Sequence, residues 1–211
     1  MEKVKSVIVE FFELPVEEKK GFAQVGNSLQ GYGQSFVVSE DQKLDWGDMF
    51  YLVARPLCPR DLSFWPTHPS SFRETLSAYS SEVRRIASTL LQLMAKNLEI
   101  APNDFSDIFQ DQPQGRRMNY YPPYVSKSRP SPRPFPAHRR HRLNASLQVS
   151  QVQGLQIKKD GKWFPVQPLP HAFTVNIGDI YCRDSEQRII QKRRASSDRR
   201  RREGAHLRCG V

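Results

Sequence analysis

The chain has 211 residues, with 32 Lys+Arg against 22 Asp+Glu for a net charge of +10, 38% hydrophobic residues, 16 Pro and 3 Cys. That length allows one or two domains, yet a mean hydropathy of −0.62 and the proline count argue against a chain that is compact throughout. Cys58, Cys182 and Cys209 are odd in number, far apart and without metal-ligand spacing, which excludes a disulfide framework and a zinc site and suits a reducing, cytoplasmic setting. No apolar run approaches the roughly 18–20 residues of a membrane span, and the N-terminal MEKVKSVIVEFFELP lacks the long apolar stretch and cleavage site of a signal peptide.

In chain order, Leu14 to Lys20 reads as a short helix, with Pro15 near its first position and Glu17 and Glu18 in its first turn. Gly31-Tyr32-Gly33 reads as a turn leading into a strand at Phe36-Val37-Val38. The clearest helix is predicted from Phe72 to Leu98. Its apolar residues Phe72, Leu76, Tyr79, Val83, Ile86, Leu90 and Leu93 recur at alternating steps of four and three, which puts them on one face, suited to packing on a sheet. Ser71 with Glu74 three residues on forms a capping-box pattern at its start. A shorter helix is predicted from Asn103, with Phe105, Ile108 and Phe109 as its apolar side. Further on, Leu155-Gln156-Ile157 and Trp163-Phe164-Pro165-Val166 alternate on either side of Asp160-Gly161, the signature of a hairpin with a two-residue primed turn. Ala172 to Ile177 is predicted as another strand. Helices followed by antiparallel strands make an α+β layout whose sheet or barrel is incomplete.

The charge is concentrated. Tyr124 to Ser146 holds six Lys+Arg and no acid, and Tyr181 to Val211 holds ten Lys+Arg against four acids, so each tract carries +6 and the rest of the chain −2. Clustered arginine releases phosphate counterions on nucleic acid, and an acidic partner would meet the same charge. Interleaved aromatics that stack on bases are nearly absent, with only Phe135 between Tyr124 and Ser150 and none after Tyr181. A nucleic-acid partner is therefore not expected.

Six stretches, in this order, resemble the plant 2-oxoglutarate- and iron(II)-dependent dioxygenases. They are Gly31-Tyr32-Gly33, Leu44-Asp45-Trp46, Met118-Asn119-Tyr120-Tyr121-Pro122-Pro123, Gly154-Leu155-Gln156-Ile157, Asp160-Gly161-Lys162-Trp163 and Val175-Asn176-Ile177-Gly178-Asp179. The similarity is greatest to the branch with anthocyanidin synthase, codeine O-demethylase and the senescence-related oxygenases. The resemblance implies a double-stranded β-helix, or jelly roll, flanked by helices. It also implies Fe(II) and 2-oxoglutarate as cofactors, oxidation of a small organic substrate, and no membrane; a monomer is expected. Asn119 and Tyr121 match the family residues that hydrogen-bond the 2-oxoglutarate side of the pocket. Within this frame residues 1–56 are expected to be a remnant of the family's N-terminal domain, and 57–123 a helical segment with the start of the core. Residues 147–180 are expected to be core strands, and the tracts at 124–146 and 181–211 disordered. The jelly roll is expected to be incomplete.

The family's iron is held by two histidines and one carboxylate. They come from a His-x-Asp motif shortly after Asn-Tyr-Tyr-Pro-Pro and from a distal histidine in a Glu-His-Arg segment; an Arg-x-Ser motif beyond it binds the far carboxylate of 2-oxoglutarate. None of the three stands in its place. His138 is followed two residues later by Arg140, and no histidine lies between Asp179 and His206. His138, His141 and His206 remain as an alternative metal set, disfavoured because neighbouring arginines repel a dication. No catalytic residue and no metal ligand is therefore assigned.

The genetic code suggests how the motifs were lost. Back-translated and read one nucleotide later, codons permitted for Val125 to Ser146 encode a tract with the family's His-Thr-Asp over Ala137 to Arg139. The same shift over Asp184 to Leu207 yields a Glu-His-Arg around Ala195 and an Arg-x-Ser at its end. Both basic tracts thus read as frameshifted sequence, and the chain as an inactive family member.

Overall fold

The computed structural model describes residues 1–26, 28–33, 47–56, 61–99, 113–122, 143–150, 152 and 154–177. They fall into two compact units: Met1–Arg85 with Ile108–Phe135, and Ile86–Asp107 with Pro136–Val211.

The first unit begins with α1, Glu2–Glu13, a helix not among the expected elements. Val4, Val7, Phe11 and Phe12 share one face at helical spacing and are buried. The helix stops where it does because Leu14 precedes a proline and is forced to extended ψ. Pro15 then stands at the N-cap of α2, Val16–Lys20, with Glu17 and Glu18 in its first turn, as expected. Lys19 is only 6% exposed and reaches back to donate to the Phe12 carbonyl at 2.7 Å, satisfying an acceptor that the end of α1 leaves orphaned. Its ammonium also lies 5.6 Å from the centroid of the Tyr32 ring.

Three strands form an antiparallel sheet in the order β1-β2-β3, where β1 is Gly31–Gly33, β2 is Asp48–Arg55 and β3 is Gln114–Tyr120. Gly31-Tyr32-Gly33 is thus itself a strand rather than the turn expected. Gly31 has φ +120°, and a Cβ there would lie 2.7 Å from the Gln24 nitrogen, so the position requires glycine. The register shifts between Val53 and Arg55, a bulge near the end of β2. The expected strand at Phe36–Val38 and the expected helix from Asn103 lie outside the described residues.

Phe50, Leu52 and Ala54 lie on one face of β2 and are buried. The Phe11 ring stacks on Phe50 at 4.4 Å and 15°, and it also meets Phe12, Phe22, Tyr32 and Phe72 at 5.4–6.3 Å. Burying such a side chain contributes about 1.5–3 kcal/mol by area alone. Each well-placed ring pair adds about 0.5–1.5 kcal/mol.

Helix α3, Phe72–Asn97, matches the predicted helix to within one residue. Its start is held by the main-chain bond from Phe72 N–H to Pro69 O at 2.9 Å, and the Arg73 guanidinium donates to the Trp65 and Leu62 carbonyls behind it. The apolar stripe holds through Phe72, Leu76 and Val83, but Ile86 and Leu93 are 36% and 53% exposed while Leu91 and Ala95 are buried. Steps of four and three repeat every 3.5 residues, whereas a straight helix turns every 3.6, so a strict stripe drifts by about 20° per heptad. Over the three heptads from Phe72 to Leu93 the drift is enough to carry its far end out of the buried sector. Polar groups tie β3 to α3 within the first unit. Arg116 Nε donates to Ser80 Oγ at 3.0 Å, and the Gln114 amide to the Ser80 carbonyl at 3.1 Å. Arg116 also lies 5.4 Å from the Tyr79 centroid. Burial lowers the Arg116 pKa, and Tyr79 partly offsets this. Burial raises the Tyr79 phenol, with Arg116 opposing.

In the second unit, β4 (Asn144–Ser146) pairs antiparallel with β7 (Thr174–Asn176), and β5 (Gln156–Lys159) with β6 (Lys162–Pro165). The first basic tract, expected to lack order as far as Ser146, therefore ends in a strand. Asp160 and Gly161 have φ 49° and 79°, the two positive values that a type I′ turn requires, so the predicted hairpin forms as read. Antiparallel sheets with flanking helices and, among the described residues, no closed barrel make this the α+β, incomplete jelly-roll architecture expected.

Phe50→Ala removes the ring that Phe11 stacks on and is expected to cost about 3–5 kcal/mol, read from urea unfolding. Burial, and after it the bond from Tyr32 Oη to Asp48 Oδ2 at 2.7 Å, holds the Tyr32 phenol above the ordinary tyrosine pKa. The neutral phenol thus contributes stability that is complete below about pH 10 and lost as pH rises from there toward the folded value. The stability difference between the parent and Tyr32→Phe is expected to be constant up to about pH 10 and to shrink above it; a constant difference across that pH in denaturant titrations would contradict it.

Candidate functional site

Asn119 and Tyr121 are two residues apart at the end of β3, so they project to the same face of the sheet. Asn119 is paired in register with Met49. The helix-packed face is the other one, where Met118 lies opposite Phe50 and the Tyr120 ring stacks on Phe12 at 5.3 Å and 19°. The backbone thus separates the residues of the motif: Met118 and Tyr120 go to the core side, Asn119 and Tyr121 away from it.

Two further residues shape this face that the motif alone did not indicate. Arg117, again two residues away on the same side, donates from Nε to Asn119 Oδ1 at 3.0 Å. Gly47, buried just before β2, lies under the Tyr121 ring, where a Cβ would come within 2.4 Å of the ring edge. The alternation Arg117, Asn119, Tyr121 was the available signal for the first; nothing in the sequence marked the second. Tyr121 is 42% exposed and Asn119 is exposed. Amide, phenol and guanidinium together offer donors that suit a carboxylate.

The iron half of the site has no such counterpart. Among the described residues, no group of three His, Cys, Asp or Glu is placed to hold a metal ion. His138, His141 and His206 lie outside the described residues. The sequence is explicit over its full length: none of the five histidines is followed two residues later by a carboxylate, the residues there being Ser70, Arg140, Leu143, Phe173 and Arg208. The tail does contain two Arg-x-Ser triplets, Arg183-Asp184-Ser185 and Arg194-Ala195-Ser196, but no histidine lies between Asp179 and either of them. The donor set therefore does not fit the family's iron. No helix among the described residues is long and apolar enough to cross a membrane.

Comparison with known proteins identifies the family. Residues 1–68 match the family described as non-haem dioxygenase in morphine synthesis N-terminal, and residues 112–199 match the 2OG-Fe(II) oxygenase superfamily. The chain belongs to the 2OG-Fe(II) oxygenase superfamily, and its relatives include plant dioxygenases. It is 49% identical over 176 residues to 2-oxoglutarate-dependent dioxygenase 11 of Oryza sativa subsp. japonica, covering 83% of this chain and 49% of that protein. It is 49% identical over 186 residues to Protein SRG1 of Arabidopsis thaliana, covering 85% and 51%. A crystal structure of JOX2 in complex with 2OG, Fe and JA superposes with a TM-score of 0.72 at 30% identity, over 84% of this chain and 53% of that one. The chain spans about half the length of the curated relatives it matches.

Gly47→Ala is expected to push the Tyr121 ring aside and cost about 1–3 kcal/mol, as overpacking does. In a Tyr121→Ala background the same change should cost less, since only the Tyr120 carbonyl at 3.2 Å still crowds the added methyl, and a double-mutant cycle in urea reads the coupling.

Proposed function

We propose that this chain is an oxidoreductase by descent, of the branch that includes the senescence-related and O-demethylating oxygenases, and that it is inactive as written. The observation that carries the reading is the absence of any His-x-Asp or His-x-Glu in the full sequence, beside a retained Asn119–Tyr121 face. Codeine O-demethylase of Papaver somniferum, 38% identical over 187 residues, supports a small organic substrate in the parent activity. A 2-oxoglutarate molecule held by Asn119 and Tyr121 alone would lack the metal it normally chelates, so affinity and turnover fall together. The frameshift reading accounts for both basic tracts at once, and makes their arginines shifted codons rather than a binding surface. The setting is the cytoplasm, and the chain is a monomer. The second reading is a non-catalytic protein whose tracts, each carrying +6, meet an acidic partner or nucleic acid.

The 211-residue chain mixed with ferrous iron and 2-oxoglutarate is expected to release no succinate above an iron-free control, and stoichiometric ferrous binding with turnover would overturn the reading. Sequencing the transcript across the codons for Pro123 to Leu147 tests the frame: a neighbouring frame without His-x-Asp removes that explanation. Salt-dependent retention on nucleic acid would favour the second reading.

A further inference from the structure

The β5–β6 hairpin is open in a way its geometry makes specific. All eight strand residues are exposed, including Ile157, Trp163 and Phe164. Ile157 and Phe164 are cross-strand partners on one face, and Lys158 and Trp163 on the other, with the Lys158 ammonium 5.7 Å from the Trp163 centroid. Among the described residues the sheet has two strands, so both edges lack a neighbour. A two-stranded hairpin is marginal in water, and three strands with a covered face are what such elements need.

In an antiparallel pair, alternate residues turn their backbone groups inward to the partner or outward to the edge. A two-residue turn makes Lys159 and Lys162 an inward pair. Ile157 and Phe164 are then inward as well, as are Leu155 and Val166, whose N–H to O bond is 2.8 Å. The outward groups belong to Gln156 and Lys158 on β5, and to Trp163 and Pro165 on β6. Pro165 has no N–H, so β6 offers an incomplete edge, and β5 offers the full set of two donors and two acceptors. The side chains beside that edge are Gln156, Ile157, Lys158 and Lys159, so an incoming strand meets one apolar residue and two ammonium groups. A second copy would bring the same lysines against these, on a chain already at +10, and like charges facing one another across strands are unfavourable.

We propose that the β5 edge is a docking site for an extended acidic segment of a partner protein, one that alternates apolar and carboxylate residues and adds as a third strand. Main-chain bonds at Gln156 and Lys158 supply the pairing, Ile157 takes the apolar residue on one face, and Lys158 selects the carboxylate on the other.

The test uses the full chain and three fluorescein-labelled eight-residue peptides: alternating Val-Glu, alternating Val-Lys, and a Glu-Pro peptide of the same charge that cannot form a strand. Anisotropy should show binding of the Val-Glu peptide, at least about tenfold weaker for the other two, and weakening between about 50 and 300 mM salt. Gln156→Pro deletes one outward N–H and no bond within the hairpin, so it should reduce Val-Glu binding about tenfold while leaving the chain's tryptophan emission unchanged. Lys158→Glu should transfer the preference to the Val-Lys peptide. Equal binding by Gln156→Pro, or of the Glu-Pro peptide, would assign the binding to the basic tracts and overturn the proposal. So would sedimentation showing a dimer of the parent chain that Gln156→Pro dissolves, because the edge would then belong to a second copy.

Discussion

The first unit is organised around a single ring. Phe11 lies at the point where α1, the Phe22 turn, β1, β2 and the start of α3 converge, and it touches an aromatic from each. Because the other rings approach Phe11 from several directions, their packing fixes the helix against the sheet in both translation and rotation, which an aliphatic residue would do less sharply. Other features of the unit depend on that placement. Lys19 can cap α1 because α2 turns back beneath Tyr32, and Tyr32 can bond Asp48 because β1 is held beside β2.

The same placement gives β3 two distinct faces. One is occupied by the helices through Met118, Tyr120, Arg116 and Gln114; the other carries Asn119, Tyr121 and Arg117. Asn119 and Tyr121 thus have a defined backbone setting, while no His-x-Asp or His-x-Glu stands anywhere in the sequence. These are separable properties. The setting is a matter of sheet register and core packing, spread over many residues, whereas a metal site needs a few particular side chains at particular positions.

What could be read from the residues followed from how local the determinants were. The Asp160-Gly161 hairpin was legible because its turn needs two positive φ values that few residue pairs provide. The length of α3 was legible because its polar and apolar residues alternate over seven turns, but the buried side of its far half was not, since a small phase error accumulates along a helix. Helix α1 is hard to read although Val4, Val7 and Phe11 have the right spacing, because no N-cap side chain marks its start. β2 carries buried residues on both faces at Met49 and Phe50, which blurs the alternation that marks a strand. The role of Gly47 could not be read at all, as it depends on a ring 74 positions away in the chain.

Lys19 has one more consequence. Its amine is enclosed between a carbonyl and a phenol ring, whereas Lys3 at the start of α1 and Lys20 beside it in α2 face water. Acylating reagents will modify the latter two at once and reach Lys19 only when α1 and α2 come apart. The lag at that one nitrogen is therefore a clock for opening of the N-terminal portion, readable by peptide mass mapping.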